Sequence, residues 1–466
     1  MSDEETSGAA ETFEARVRRS PSQAAGGGAH PRSARRSTQR ERLIKAMALV
    51  ASREGYAHAT IAKVLAEAGV SRPTFYEYFP DRDGCVIAAA QEVGERLVAS
   101  VAGAVLDAPA HALGGALEAH VKFVLEHPTD ARFLLSETLA GGPRTLDERD
   151  RLIGEIAAHV EGAYDDLDDE TSVPDVSSRI VIGGVWRLLA GRLRADRLEL
   201  QGLPEELSGW VGRYEAPLSK HRWRTLRPAG VLPAAKSFAI EAPLRAPAPI
   251  APGRPRMSRE EARENHRRRI LAAIALAAKS SGYSATKVAE ITRLAGLDAR
   301  AFNRQFASKR DAFVAAHEVG LQATMAATAA AFFVEDSWPE RVWAAGLAFT
   351  GFLEANPLIA HIGFVEAYAV GGDAAKRLQD SHAGFTIFLQ EAYQAFPQDT
   401  PPSRVALDAI AATVFEIAYL STREERDDGM AGLLAHMVDL AVTPFMGSAE
   451  ANRFIDRKLK EAEPGV

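Results

Sequence analysis

A single cysteine, Cys85, occurs in 466 residues. That excludes an internal disulfide framework and fits a reducing, cytoplasmic compartment. On a helical stretch it reads as a small buried hydrophobe rather than a redox sensor. No uninterrupted apolar run reaches the roughly 18 residues of a membrane span, so no membrane partner is expected. The opening Met-Ser-Asp-Glu-Glu lacks the basic-then-apolar order of a secretory leader. Strict apolar–polar alternation, the mark of half-buried strands, is missing from both halves of the chain. So are a zinc-ligand cluster, a phosphate-cradling glycine loop and a nucleophile motif on a strand-turn-helix. An enzyme is therefore not expected, and neither is a cofactor or a metal. His111, His120 and His127 share a helical stretch, but their spacings bring no two close together on one face.

Overall the chain has a net charge of −7, with 47% hydrophobic and 25% charged residues, an ordinary globular composition. The charge is unevenly spread. Residues 16–83 hold 13 Lys/Arg against 6 Asp/Glu, and residues 254–310 hold 14 against 5. Two basic islands in an otherwise acidic protein point to two surfaces that face a polyanion.

Both islands carry the same segment. Gly55, Tyr56, Ala62, Ala68, Gly69, Phe75 and Phe79 recur as Gly282, Tyr283, Ala289, Ala295, Gly296, Phe302 and Phe306 at a constant offset of 227. Further on, Phe123, Pro128, Ala131, Glu137, Gly142, Ala163 and Tyr164 recur at an offset of 229 as Phe352, Pro357, Ala360, Glu366, Gly371, Ala392 and Tyr393. An internal repeat fixes architecture before any other feature does. Each half is a small basic module followed by a larger helical one, with apolar residues at three- and four-residue spacing in runs such as 113–125 and 344–353.

Within the first module, Leu43, Met47 and Val50 give a helix over Gln39–Arg53 with one apolar face, and Gly55 ends it. Thr60 caps a short second helix that turns Ile61, Val64, Leu65 and Ala68 inward. Gly69 makes the turn. Ser71 caps a third helix that tolerates Pro73 in its first turn. Two short helices about a tight glycine turn are a helix-turn-helix, whose second helix can enter a major groove. Phe75 and Phe79, four apart, belong to the core. Arg72, Thr74, Tyr76 and Tyr78 are left toward the outside, where phenols can meet phosphate, sugar or base.

The string Thr60-Ile61-Ala62 through Ala68-Gly69-Val70-Ser71-Arg72-Pro73-Thr74-Phe75-Tyr76-Glu77-Tyr78-Phe79-Pro80-Asp81-Arg82 resembles the signature of the TetR family of regulators. The resemblance covers residues 40–90. It implies a three-helix DNA-binding domain followed by an all-helical domain with a ligand cavity and a dimerisation surface. It places Thr74 and Tyr76 at base-reading positions and Tyr78 and Arg82 where the family grips phosphate. Thr60, Lys63, Ser71 and Arg72 complete the expected DNA-contacting set.

The second module departs from that signature. Lys287 stands for Thr60, Ala301 for Thr74, Asn303 for Tyr76 and Gln305 for Tyr78, while Asp298 can still cap the helix and Lys309 keeps the phosphate-gripping position. Either the copy keeps its fold without readout, or Arg300, Asn303, Arg304 and Gln305 read a different half-site, with Lys287 and Lys309 beside them. Arginines precede both modules: Arg16, Arg18, Arg19, Arg32, Arg35 and Arg36 before the first, and Arg254, Arg256 and Arg259 before the second. They act as phosphate or minor-groove arms or as solvated linker.

The expected chain is all-α. It has a disordered basic arm (1–37), a first helix-turn-helix domain (38–89), a first helical regulatory domain (90–215), a Pro-rich linker (216–258), a divergent second helix-turn-helix domain (259–313), a second helical regulatory domain (314–447) and a C-terminal tail (448–466). Glu137 and Glu366 could hold a polar group of a ligand but read more readily as helix surface or internally paired charges. The implied function is a ligand-responsive transcriptional regulator, a repressor in its commonest form, built as two fused TetR-like units. Its partners would be a double-stranded DNA operator and a small-molecule effector of unknown identity. Two units in one chain make a covalent pseudo-dimer. The alternatives are a homodimer of the fused chain that uses only the first head on DNA, or a sensor protein with vestigial heads.

Overall fold

A computed structural model describes residues 31–195, 200–228, 243–250, 257–371, 383–424 and 429–462, with backbone alone over 31–37. The fold is all-α apart from a two-stranded antiparallel ribbon, Ser172–Pro174 against Glu215–Pro217. The first half runs α1 (Pro31–Glu54), α2 (Ile61–Ala68), α3 (Arg72–Tyr78), α4 (Arg82–Asp107), α5 (Ala112–Glu126), α6 (Pro143–Tyr164), α7 (Ser178–Arg194) and α8 (Leu203–Val211). The second runs α9 (Arg259–Ser281), α10 (Val288–Ala295), α11 (Ala299–Gln305), α12 (Lys309–Phe332), α13 (Trp338–Ala355), α14 (Arg404–Arg423), α15 (Leu434–Met446) and α16 (Ser448–Ala462). Between α5 and α6 the chain passes through a π-helical turn, Arg132–Glu137, and after α13 through another, His361–Val365.

Three segments differ from expectation. The first helix starts at Pro31 rather than near residue 39. Pro31 suits a first helical turn, and no glycine or further proline interrupts 32–54. The arm before it, with Arg16, Arg18 and Arg19, lies outside the described residues. The expected linker is docked over its first part. Asp175, buried, accepts hydrogen bonds from the backbone N–H groups of Arg222, Trp223 and Arg224 at 2.8–3.1 Å. The Trp223 indole donates to Asn452 Oδ1 at 2.9 Å. Apolar Trp223 and a buried carboxylate needing donors hold a segment that proline content alone leaves free. Residues 229–242 and 251–256, including Arg254 and Arg256, lie outside the described residues. Finally, the expected tail forms α16 through Ala462. Phe454 and Ile455 are buried, and Lys458 pairs with Glu340 at 2.8 Å.

The two halves pack through α7 and α14. Helix α14 is 20 residues long, enough by length and composition to cross a bilayer, and most of it is buried inside the protein. Glu416 and the flanking polar residues interrupt its apolar run. Here the helix is a core element.

Candidate nucleic-acid interface

The first head is held together as its spacing predicts. Leu43, Met47, Val50, Val64 and Phe75 have no accessible surface, and Phe79 is 4% exposed. Phe75 and Phe79 stack at 5.6 Å between ring centroids. Thr60 Oγ1 accepts from Lys63 N, and Ser71 Oγ accepts from Thr74 N, both at 3.4 Å. These caps satisfy amides left open at the starts of α2 and α3.

Arg42, not among the expected site residues, secures the turn between them. Its guanidinium donates to the carbonyls of Ala68 and, at 3.3 Å, Gly69. Gly69 has φ +61, and a Cβ there would stand 2.7 Å from Arg42 Nη2. Gly296 has φ +59 and stands in the same relation to Arg269, at 2.6 Å. The offset of 227 that relates the glycines also relates the two arginines, a match in the sequence that could have identified them.

Of the expected DNA-contacting side chains, Thr60, Lys63, Ser71 and Arg72 are exposed and Thr74 is half-buried. The Thr74 hydroxyl lies 2.8 Å from that of Ser71. Tyr76, 50% exposed, is the large aromatic presented to solvent on α3. Lys63 forms an ion pair with Glu54. Two residues sit otherwise than expected. Tyr78 lies three positions from Phe75, on the flank of the same face. Its ring packs at 6.4 Å from Phe79, and its hydroxyl is buried. Arg82, at the start of α4, faces the head's interior. It donates to Tyr56 O at 3.3 Å, and its guanidinium stands 4.3 Å from the Tyr56 ring centroid.

The Tyr56 hydroxyl donates to Asp83 Oδ1 at 2.8 Å. Burial, reinforced by that carboxylate, pushes the phenol up to about 12.

In the second module Phe302 and Phe306 are buried, and Asp298 Oδ1 accepts from Ala301 N at 2.7 Å. Lys287, Arg300, Asn303 and Arg304 are exposed. Gln305 is half-buried, and its Nε2 donates to Arg263 O at 3.0 Å. Like Tyr78, it lies three residues beyond the core phenylalanine. Lys309 repeats the behaviour of Arg82, donating to Tyr283 O at 2.7 Å and Thr286 O at 2.9 Å, 4.2 Å from the Tyr283 ring centroid. Burial lowers its ammonium pKa. Beside Gln305, the start of α9 presents Glu260, Glu261 and Glu264 together with Arg263 and Arg267. The corresponding first-half positions are Ser33, Ala34 and Ser37.

Each head is tied to the body behind it by a carboxylate. Glu137 Oε2 accepts from Tyr56 N at 2.8 Å, and Glu366 Oε2 accepts from Tyr283 N at 2.8 Å. These glutamates are internally paired. Both end or follow a π-helical turn, and both reach a peptide N–H that follows a glycine with φ near +80.

In the second body a cavity of about 100 Å³ is lined by Phe349, Phe385, Leu389, Phe415, Met437 and Val438 among others. The Thr328 hydroxyl on its wall already donates to Thr324 O at 2.8 Å. A smaller cavity adjoins it across Phe385 and Phe415 and is lined by His317, whose imidazole burial holds down at about 4. In the first body Phe415 is matched by Trp186, which is 1% exposed and packs at 6.3 Å from His120. Burial holds His120 at about 4. His111 and His127 are exposed elsewhere, and among the described residues no three potential ligands gather as a metal site.

Residues 43–89 match the family model of bacterial regulatory proteins of the tetR family. Among solved structures, the chain is similar to the fatty acid degradation regulator FadR from Bacillus halodurans, at 17% identity and TM-score 0.31, over 37% of this chain and 97% of that one. It is likewise similar to a TetR-like transcriptional regulator from Rhodococcus sp. RHA1, at 22% identity and TM-score 0.29, over 38% and 94%. A further bacterial regulatory protein of the tetR family from Rhodococcus RHA1 matches at 19% identity and TM-score 0.32, over 43% and 98%. No curated protein sequence matches the chain.

Proposed function

We propose that this chain, whose residues 43–89 match the tetR-family model, is a DNA-binding transcriptional regulator of that family without enzymatic activity, a ligand-responsive repressor built as a single-chain pseudo-dimer. The observation that carries the reading is the exposed face of α3. Arg72 and Tyr76 project from a helix whose other face is fixed by Phe75, Phe79 and the Arg42 clamp. A rigid helix with outward polar and aromatic groups is what a major groove accepts.

The second unit is supported by recurrence. It has the same helix lengths in α10 and α11, the same left-handed turn glycine and a cation, Lys309 for Arg82, at the same place beneath the head. Its readout is the smaller, through Arg300, Asn303 and Arg304. The operator therefore has unlike half-sites, and the cytoplasm is where the protein meets it. The effector fits the second body. Among the described residues, phenylalanines and aliphatic side chains line the cavity and its Thr328 hydroxyl is already hydrogen-bonded, so it takes an apolar molecule or apolar moiety.

Selection of genomic fragments by the purified full chain tests the whole reading. The expected result is a short duplex site of unlike halves whose recovery falls when Tyr76 or Arg72 is replaced by Ala. Indifference to all duplex fragments at low salt overturns it.

A further inference from the structure

The contact between the halves joins corresponding faces of corresponding helices. The offset of 229 carries Val185 onto Val414 and Arg194 onto Arg423, the last residues of α7 and α14. Across the contact, Gly184 faces Thr413, its own counterpart, with a hypothetical Cβ 2.7 Å from Thr413 Cα. Arg187 Nε likewise donates to Glu416, its own counterpart, at 2.6 Å. Two similar units thus meet about a local two-fold arrangement, where identical surfaces would place like residues against like.

The residues at that place are unlike in charge and in size. Glu416 is 1% exposed and accepts from two buried guanidiniums, Arg149 (Nη1 at 2.9 Å, Nη2 at 2.8 Å) and Arg187. Tyr419 stands between the same two cations, 4.9 Å and 4.8 Å from them. Gly183 leaves the space that Glu416 fills, since a Cβ there would lie 2.5–2.7 Å from its side chain. Pairing two first halves would set Arg149 and Arg187 of one copy against the same cations of the other, with Asp150 of each copy to answer them. Pairing two second halves would set Glu416 against Glu416, with Leu378 in sequence where the first half has Arg149, and would crowd Ala412, the counterpart of Gly183, against that side chain. A buried charge without its partner is strongly disfavoured, and a like charge across an interface selects against the wrong partner.

We propose that Arg149, Arg187 and Glu416, with Gly183 and Gly184, form a pairing code that admits only unlike halves and bars assembly of either half with its own kind. The code rests on the two-unit reading above and says how that pairing is enforced.

Light scattering and thermal melting of the full chain and its charge variants test it. In Arg187→Glu the chain's own contact sets the introduced carboxylate against Glu416. Two first halves from different copies become compatible, because Arg149 of each now faces the introduced carboxylate of the other. The expected result is a lowered melting temperature and a shift from 50.2 kDa to about twice that mass. Glu416→Arg assembles three cations in its own contact and is expected to melt lower still, with little soluble material. Mixing or co-expressing the two variants makes both cross-contacts complementary, and a soluble one-to-one complex is expected. If both variants stay monomeric at the wild-type melting temperature, or if co-expression restores nothing, the code is wrong. A wild-type mass of twice 50.2 kDa would overturn the single-chain arrangement and leave the code standing, since unlike halves can also pair between chains.

Discussion

Asp439 lies on α15 with 3% of its surface exposed and accepts from the Thr443 hydroxyl at 2.7 Å. Burial, aided by the Asp175 carboxylate and opposed by Thr443 and Arg222, pushes its carboxyl up to about 8. An unfolded carboxyl titrates near 4, so between about pH 4 and pH 8 the folded state holds a proton that the unfolded state has lost. Stability from this group is full below about pH 4 and declines through the window, by at most roughly 1.4 kcal/mol per pH unit. Asp439→Asn removes the slope, and its melting temperature should gain on wild type as pH rises from 5 to 8. Parallel melting curves across that range would show a carboxylate already charged.

The opposite case is Glu416. Burial alone would raise it, but Arg149 and Arg187 hold it at about 2, so its contribution is present above about pH 4 and lost as pH falls toward 2.

At the residue scale the sequence disclosed the helix caps and the core phenylalanines, since spacing decides both. Tyr78, Gln305, Arg82 and Lys309 escaped it. Whether a polar side chain on a helix flank turns in or out depends on the neighbours that fold supplies, and for Arg82, Lys309 and Gln305 those lie more than 20 residues away. Phe75→Ala, with no accessible surface to regain, should cost the first head about 3–5 kcal/mol. Its melting can be followed by local hydrogen exchange.

At the element scale, the turn between α2 and α3 and the joint behind each head carry the organisation. Gly69→Ala forces a Cβ into a left-handed residue and against Arg42. About 1–2 kcal/mol of backbone strain should appear as faster exchange in α2 and α3 and as weaker DNA binding, with the body's unfolding unchanged. Equal loss throughout the chain would count against a local origin.

The joint is Glu137 on Tyr56 N and Glu366 on Tyr283 N. Glu137→Gln exchanges a charge-assisted hydrogen bond for a neutral one, at a cost of roughly 1 kcal/mol. The Tyr56 amide should exchange severalfold faster while the Tyr283 amide keeps its wild-type rate. The paired positions of these glutamates were visible in the repeat. Their partners were not, because a π-helical turn shifts register in a way that apolar periodicity does not reveal. The docked linker and α16 were hidden for a related reason. Proline content and a terminal position argue for looseness, and only Asp175, Asn452 and Glu340 on other elements tie those segments down.

At the scale of the whole molecule, the two basic islands point to two DNA-facing surfaces, the second divergent already in sequence, and the structure sets carboxylates beside that second one. The first head presents Arg72 and Tyr76. The second presents Arg300, Asn303 and Arg304 with Glu260, Glu261 and Glu264 at the edge of the same surface. Carboxylates within a Debye length of phosphate, about 10 Å at 0.1 M salt, repel it, so the second head should hold DNA less tightly for the same count of arginines. Replacing Glu260, Glu261 and Glu264 together by Gln keeps the helix start intact, because glutamine also serves the capping box formed by Ser258 and Glu261. If the second head lies on DNA beside the first, this variant should bind the full operator severalfold more tightly at about 0.05 M salt, with the gain fading toward about 0.5 M as screening takes over. The gain should vanish on a duplex that retains only the half-site protected by the first head. A variant that binds both duplexes as wild type does at every salt concentration would mean that the second head stands away from DNA.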